Sequence, residues 1–218
     1  MIISNSRRFI FVHVPKAAGT SVTHELSRCT TFRDIEVGGT AYGEKLQNLY
    51  SSRFDLRKHS TAAEIRAKAG PDVWWSFFVF GFVRNPYARA YSLWKFLRKW
   101  TDGPHHPLAT ELDFSAFVAD ERFGTPEIDI TRPQADWLTL SGEALPGVDF
   151  IGRVERFDED FSFMLSTIAR KPISYRTRAP QNVSADADEW RAAMDPDTRR
   201  RIETVYDEDF QTFGYPKI

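Results

Sequence analysis

An apolar run over residues 9–14 breaks at Pro15 and gives way to Lys16 and the small residues 17–21. Such a run is typical of a strand that is buried on both faces in a parallel sheet. The amphipathic segment that follows predicts a helix over about 20–28. The first backbone N–H groups of a helix have no partners within it and carry the positive end of its dipole. A strand, tight turn and helix start in this order therefore favour a phosphate or sulfate site.

A second strand-to-helix junction follows later in the chain. Residues 75–83 are nearly all apolar and predict a strand that ends at Arg84. Asn85 is a natural N-cap and Pro86 suits the first position of a helix that runs to about residue 100. Two strands that each feed a helix predict an α/β fold of the P-loop-like kind, a three-layer sandwich whose central, mostly parallel β-sheet is flanked by helices. Right-handed crossovers place both polar junctions at one edge of that sheet.

The remaining elements are predicted from caps and periodicity. Thr61 and Glu64 form a capping box at the start of a helix over 60–68. The weak pattern of residues 31–57 predicts mostly loop. The other predicted elements are short helices over 113–119 and 134–140, a short strand over 149–152, and helices over 158–169 and 195–207.

Length and composition limit the classes of protein that fit. With 218 residues the chain is predicted to form one domain over 1–218, with residues 101–132 as an insertion that shapes an acceptor site. Lys and Arg (29) nearly balance Asp and Glu (30), so no global basic field favours nucleic acid. The single Cys29 favours a reducing compartment, and with no visible export signal the predicted location is cytoplasmic. No apolar stretch reaches the roughly 20 residues of a transmembrane helix.

The two junctions contain the residues that best suit an anion. The loop is not a Walker A loop, since Lys16 precedes the glycine instead of standing directly before Ser or Thr at the helix start. From the loop alone, an anion site and an ordinary turn with a solvated lysine are equally supported. At the second junction, the Arg84 guanidinium and the Ser92 hydroxyl suit a terminal phosphate. The alternatives are a structural ion pair for Arg84 and a bond from Ser92 to its own helix.

Together the junctions resemble the sulfotransferases that use 3′-phosphoadenosine 5′-phosphosulfate (PAPS), in particular the bacterial and Golgi carbohydrate branch, sulfotransferase family 2. That family has a Pro-Lys-x-x-Gly-Thr-Ser loop and an Arg-x-Pro-x-x-Arg-x-x-Ser segment, which are present here as residues 15–21 and 84–92. Looser similarity spans nearly the whole chain, including residues 133–138, 151–155 and 182–184. Ala17 and Ala18 depart mildly from the family's usual Thr-Gly.

The resemblance implies a set of cofactor-binding residues and no metal. The loop would hold the 5′-phosphosulfate, Arg84 and Ser92 the 3′-phosphate, and residues 182 and 184 would close over the nucleotide. It also implies 3′-phosphoadenosine 5′-phosphate (PAP) as a product and a saccharide or glycolipid hydroxyl as acceptor. The implied cofactor-binding residues are Lys16, Ala17, Ala18, Gly19, Thr20, Ser21, Arg84, Ser92, Asn182 and Ser184.

Two residues are predicted to be catalytic. Lys16 can stabilise charge on the departing phosphate as the bond to the sulfuryl group breaks. His59 is the candidate general base, since an imidazole has an unperturbed pKa near 6.5 and the helix start after it disfavours the imidazolium. The family also places a catalytic histidine before the strand that leads to its second motif. The alternative for His59 is a role in capping that helix. His13 is predicted to be a satisfied core residue.

Two other functions stay open on the sequence. One is a phosphotransferase that uses a nucleoside triphosphate, and the other is a nucleotide-binding module without catalysis. Tighter binding of ATP than of PAP would favour the first, and binding of PAP without transfer would favour the second. The sequence predicts neither the oligomeric state nor which hydroxyl is sulfated.

Overall fold

The computed structural model describes residues 1–140, 146–177 and 189–218. By its internal contacts the chain divides into two compact units. The first is Met1–Val83 with Asp136–Gln181, and the second is Arg84–Ala135 with Asn182–Ile218. The single domain over 1–218 and the acceptor-site insertion over 101–132 stay predictions.

A mixed sheet of five strands forms the centre of the first unit, counted over the described residues. The strands are β1 (Ile2–Ser4), β2 (Phe9–Val12), β3 (Ile35–Glu36), β4 (Phe78–Val83) and β5 (Phe150–Arg153). Their order is β3-β1-β2-β4-β5, with β2, β4 and β5 parallel and β1 antiparallel to both β2 and β3. Val12 pairs with Gly81, so the carboxyl ends of β2 and β4 lie side by side. The predicted α/β fold, with a central sheet flanked by helices, is confirmed.

The twelve α-helices among the described residues are numbered in chain order. They are α1 (Gly19–Ser27), α2 (Ala41–Phe54), α3 (Ala62–Ala69), α4 (Pro71–Ser76), α5 (Pro86–Lys99), α6 (His106–Glu111), α7 (Phe114–Ala119), α8 (Ala135–Leu138), α9 (Phe157–Ala169), α10 (Glu189–Ala192), α11 (Pro196–Val205) and α12 (Asp207–Phe213). Two 3₁₀ turns cover Pro126–Thr131 and Val154–Arg156. None of these helices combines the length and the apolar character that crossing a membrane requires.

Aromatic and aliphatic side chains on β2 and β4 form the core of the first unit together with α1 and α9. Full burial of each such side chain stabilises the fold by about 1.5–3 kcal/mol. The half-buried Cys29, just after α1, packs against this core. The buried members of the core are Ile2, Phe9, Phe11, Val22, Leu26, Phe80, Phe82, Phe161 and Met164.

Two predictions for the first unit were wrong. Residues 31–57 contain β3 and the 14-residue α2, where mostly loop was expected. Gly43 is the only buried residue of α2, so this helix lacks the apolar stripe on which periodicity depends. The second strand begins at Phe78, because Pro71 starts the separate helix α4, where Trp75 is 64% exposed. The first part of the aromatic stretch that predicts a strand therefore belongs to helix α4, where Trp75 is exposed.

In the second unit the predicted start of α5 is confirmed. The Asn85 Oδ1 accepts hydrogen bonds from the N–H groups of Tyr87 (3.0 Å) and Ala88 (3.3 Å), and Pro86 takes the first helical position. Asp113 and Asp195 likewise cap α7 and α11 as N-cap residues. Side-chain caps of this kind are each worth about 1 kcal/mol, which is why the sequence marks these helix starts clearly.

Candidate active site

The loop between β2 and α1 has a strained main chain. Lys16 (φ 62°) and Ala18 (φ 58°) both lie in the left-handed region, where a residue with a side chain costs about 1–3 kcal/mol. Ala18 is the N-cap residue of α1, and no side chain caps the helix from that position. The start of α1 thus lacks the side-chain acceptor that α3, α5, α7 and α11 receive. An anion bound there would take the place of the cap.

The His13 ring fills the space beside the start of α1. Its Cδ2 and Nε2 atoms would overlap a Cβ on Gly19, so position 19 has no room for a side chain. The ring stacks on Phe11, with 5.5 Å between centroids, and His13 is buried at 3% exposure. Its Nδ1 finds no hydrogen-bond partner among the described residues. The predicted burial is confirmed, but the prediction that His13 is satisfied was wrong.

His59 is fixed to this loop by its own ring. The His59 Nδ1 lies 2.8 Å from the carbonyl oxygen of His13. Because a carbonyl only accepts, we assign the ring proton to Nδ1, which leaves the lone pair of the neutral ring on Nε2. The His59 ring meets the rings of His13 and Trp137 edge-on, with centroids 4.6 and 6.2 Å away. The contacts orient a half-buried imidazole whose Nε2 is able to accept a proton.

Burial favours the neutral form of both histidines. Burial is the largest cause that lowers the pKa of His59 to about 3, with a smaller contribution from the charge of Lys58, while the bond to the His13 carbonyl opposes the shift. Burial also lowers the pKa of His13 well below its usual 6.5, and the neighbouring His59 adds to the effect. This direction agrees with the predicted neutral His59, and its largest cause is burial.

Capping does not explain His59. Helix α3 is capped by Thr61, whose Oγ1 accepts from the Glu64 N–H at 3.2 Å, while the Glu64 Oε2 accepts from the Thr61 N–H at 2.7 Å. This reciprocal pair is the predicted capping box. The histidine instead bonds to the loop after β2, so the capping alternative was wrong.

The second motif lies in the second unit, where Arg84 is half-buried and precedes the cap of α5. The Gln134 side chain accepts from the Arg84 N–H at 2.8 Å and donates to the Arg84 carbonyl at 2.9 Å. Ser92 lies in the second turn of α5 and is half-buried. Sequence reasoning missed the bonding of Gln134, because nothing in the pattern of a polar residue before a short helix indicates which main chain it reaches.

Arg89, in the same motif, has a structural role. Its guanidinium is fully buried and donates to the carbonyls of Ile130 (3.0 Å) and Arg132 (2.9 Å). The Cζ atom of Arg89 lies 5.5 Å from the centre of the Tyr206 ring. This agrees with the absence of Arg89 from the predicted ligand set.

The predicted site residues divide between the two units. Residues 16–21 and His59 belong to the first unit, and Arg84 and Ser92 to the second. Asn182 and Ser184 lie outside the described residues. Over the ranges that the structure describes, no cluster of three or more His, Cys, Asp or Glu side chains is placed to hold a metal ion.

The sequence is similar to known proteins. The sequence matches the sulfotransferase family over residues 1–216. A segment of 74 residues is 32% identical to carbohydrate sulfotransferase 12 of Xenopus laevis. This match covers 32% of the chain and 17% of the length of that relative.

Proposed function

The chain belongs to the sulfotransferase family, and we propose that it transfers a sulfuryl group from PAPS to a hydroxyl of a saccharide or glycolipid. The observation that carries the proposal is the bond between His59 and the first residue of the loop after β2. It links a neutral imidazole to the segment that ends in the uncapped start of α1. The proposed base is thus bonded to the loop that would hold the anion.

The loop residues suit the anionic end of the donor. Backbone N–H groups of residues 18–21 and the hydroxyls of Thr20 and Ser21 would cradle the nonbridging oxygens. Lys16 would stabilise the negative charge that develops on the bridging oxygen as its bond to sulfur breaks. The donor supplies the activated sulfuryl group, and the rest of its nucleotide would be held by Arg84, Ser92, Asn182 and Ser184.

His59 would remove the proton of the acceptor hydroxyl. As the acceptor oxygen forms its bond to sulfur, the proton moves to the His59 Nε2, and the Nδ1–H stays bonded to the His13 carbonyl. The carbonyl stabilises the imidazolium that results, as the orienting partner of a general base does. The donor is also anionic, so its binding raises the pKa of His59 from about 3 and makes the ring a stronger base.

The saccharide or glycolipid acceptor is the broadest part of the proposal. The name of the Xenopus laevis relative supports a carbohydrate. Residues 101–132, which contain α6 and α7, are the proposed acceptor-site segment.

Calorimetry with PAP, with ATP as control, tests donor binding. We expect PAP to bind more tightly than ATP, and without a requirement for Mg²⁺. Tighter binding of ATP would contradict the proposal and favour the phosphotransferase.

Transfer itself is tested with radiolabelled PAPS and a panel of saccharides and glycolipids. We expect label in at least one acceptor with the wild-type protein. Binding of PAP without transfer to any member of the panel would favour the nucleotide-binding module.

A further inference from the structure

The main chain of Arg84 is held by a side chain as a neighbouring strand would hold it. The Gln134 Oε1 accepts from the Arg84 N–H at 2.8 Å, and the Gln134 Nε2 donates to the Arg84 carbonyl at 2.9 Å. Paired bonds from one residue to both peptide groups of another are those of a hydrogen-bonded pair in a β-ladder. One amide therefore fixes the peptide planes on both sides of Arg84.

Gln134 is itself immobilised by a buried carboxylate. The Asp209 Oδ2 accepts from the backbone N–H of Gln134 at 2.9 Å and from its Nε2 at 3.2 Å, and the Asp209 Oδ1 accepts from the Ala135 N–H at 2.9 Å. Both Gln134 and Asp209 are fully buried. The carboxylate thus sets the position and the amide orientation of Gln134, because only the nitrogen end of the amide can donate to it.

The segment before Gln134 is fastened as well. Arg89 binds the carbonyls of Ile130 and Arg132, and the Tyr206 hydroxyl donates to the Thr131 carbonyl at 2.6 Å. Residues 130–135 are therefore held through their carbonyls on one side and their N–H groups on the other. A network of hydrogen bonds from buried side chains has little freedom to shift.

The chain after Arg84 is fixed by the cap of α5. Asn85 binds two N–H groups of the first turn, and Pro86 presets the backbone of its first residue. With its own peptide groups bonded to Gln134 and its successor bonded to the helix, Arg84 has one Cα–Cβ direction. A guanidinium fork recognises phosphate only when it is presented in a defined direction.

We propose that Gln134, held by Asp209, is a positioning residue for recognition of the 3′-phosphate of the donor. It acts through the main chain of Arg84. The inference rests on the proposed function, because it assigns the 3′-phosphate to Arg84.

Calorimetry with PAP and adenosine 5′-phosphate isolates this role, because the two ligands differ only by the 3′-phosphate. Gln134→Met keeps the side-chain length and removes all three side-chain bonds. We expect its Kd for PAP to rise about tenfold or more, and its Kd for adenosine 5′-phosphate to change less than about twofold. Gln211→Met, the same substitution at an exposed position of α12, is the matched control and should change neither value.

A double-mutant cycle shows whether Gln134 acts through Arg84. We expect Arg84→Ala to reduce the preference for PAP. In the Arg84→Ala background, Gln134→Met should cause little further reduction, because the effects of coupled residues are non-additive. Asp209→Asn, which keeps the shape but replaces one of the two acceptor oxygens by a donor, should lower the same preference more mildly. It serves as the second variant if Gln134→Met does not fold.

Three results would overturn the inference. They are equal weakening of both ligands by Gln134→Met or Asp209→Asn, unchanged affinities, and additive effects in the cycle. If Arg84→Ala reduces the preference for PAP while Gln134→Met and Asp209→Asn keep it, this inference fails and the proposed function stands. If wild-type protein shows no preference for PAP, the proposed function fails with it.

Discussion

The two proposed anion segments are stabilised in opposite ways. The loop of residues 15–21 takes its shape from its own backbone, with two left-handed residues and an uncapped helix start, and from the adjacent His13 ring. The segment of residues 84–92 depends on remote side chains, since Gln134 is 50 residues from Arg84 and Asp209 a further 75 from Gln134. A segment that binds with backbone N–H groups must keep them available for its ligand. A segment that binds with a side chain gains from having its backbone bonded within the protein.

The largest expected effect tests whether His59, which is bonded to the chain just before the first segment, is the base. Substitution of His59 by Gln should lower kcat by about 10²–10⁴-fold, because the acceptor proton loses its base. The Kd for PAP should stay within about twofold. Steady-state rates with labelled PAPS check this, and His24→Gln, at an exposed histidine of α1, is the control. Retention of full kcat would break the link between base and loop.

A smaller effect is expected at Lys16. Lys16→Ala should lower kcat by about 10²–10³-fold, because one group that stabilises the leaving phosphate is lost. Its free energy of unfolding should change by less than about 0.5 kcal/mol, as is usual at sites outside the core. Single-turnover rates and urea denaturation measure both, with Lys45→Ala in α2 as control. A large loss of stability with unchanged chemistry would make Lys16 a structural residue.

Next comes the steric test of the first segment. Gly19→Ala should destabilise the protein by about 1–3 kcal/mol, since the new methyl group collides with the His13 ring. The double variant His13→Ala, Gly19→Ala should be less destabilised than the sum of the single variants. Urea denaturation of all three variants gives the coupling. Additive losses would show that the ring does not set the requirement for glycine.

The second segment should respond more weakly to a local change. Asn85→Ala removes the cap of α5 and should lower the free energy of unfolding by about 1 kcal/mol. Thermal unfolding measures it, beside Asn48→Ala at an exposed site of α2. A loss as large as that of Gly19→Ala would mean that this segment, too, is shaped mainly by its neighbours in sequence.

The smallest expected effect is in the pH profile. With a pKa of about 3, His59 is neutral from pH 5 to 8 in the free protein, so kcat/KM should show no limb near 6.5 from this group. Bound donor raises that pKa, so the acid limb of kcat should lie at higher pH than that of kcat/KM. Initial rates from pH 4 to 9 test the order. A limb of kcat/KM near 6.5 that His59→Gln abolishes would contradict the low pKa.

Local signals made the first segment predictable. The apolar run of β2, the break at Pro15 and the small residues after it lie within a dozen positions, and the structure places β2 and α1 where these signals predict. The helix starts at Thr61 and Asn85 were predicted correctly for the same reason, because a capping side chain bonds within the first turn of its own helix.

Remote contacts were beyond the sequence. The bond from His59 to the His13 carbonyl spans 46 residues, and the contact of the His13 ring with Gly19 depends on how the loop after β2 turns. Helix α2 was not predicted because it buries little of its surface. Trp75 was wrongly assigned to a strand because an aromatic residue suits a strand and an exposed helix alike. The bonding partners of Gln134 likewise follow from tertiary structure alone.

The thiol of Cys29, just beyond α1, can be used to measure local opening at the end of this helix. Cys29 is half-buried, its Sγ donates to the Leu26 carbonyl at 3.0 Å, and burial raises its pKa. A disulfide reagent therefore reacts with it mainly when the end of the helix frays, and the rate reports on local opening. The nine-residue helix between Gly19 and this cysteine is about 14 Å long. Slower modification in the presence of PAP would show that binding of the nucleotide at the start of α1 reduces opening at its far end. This measurement needs no engineered label.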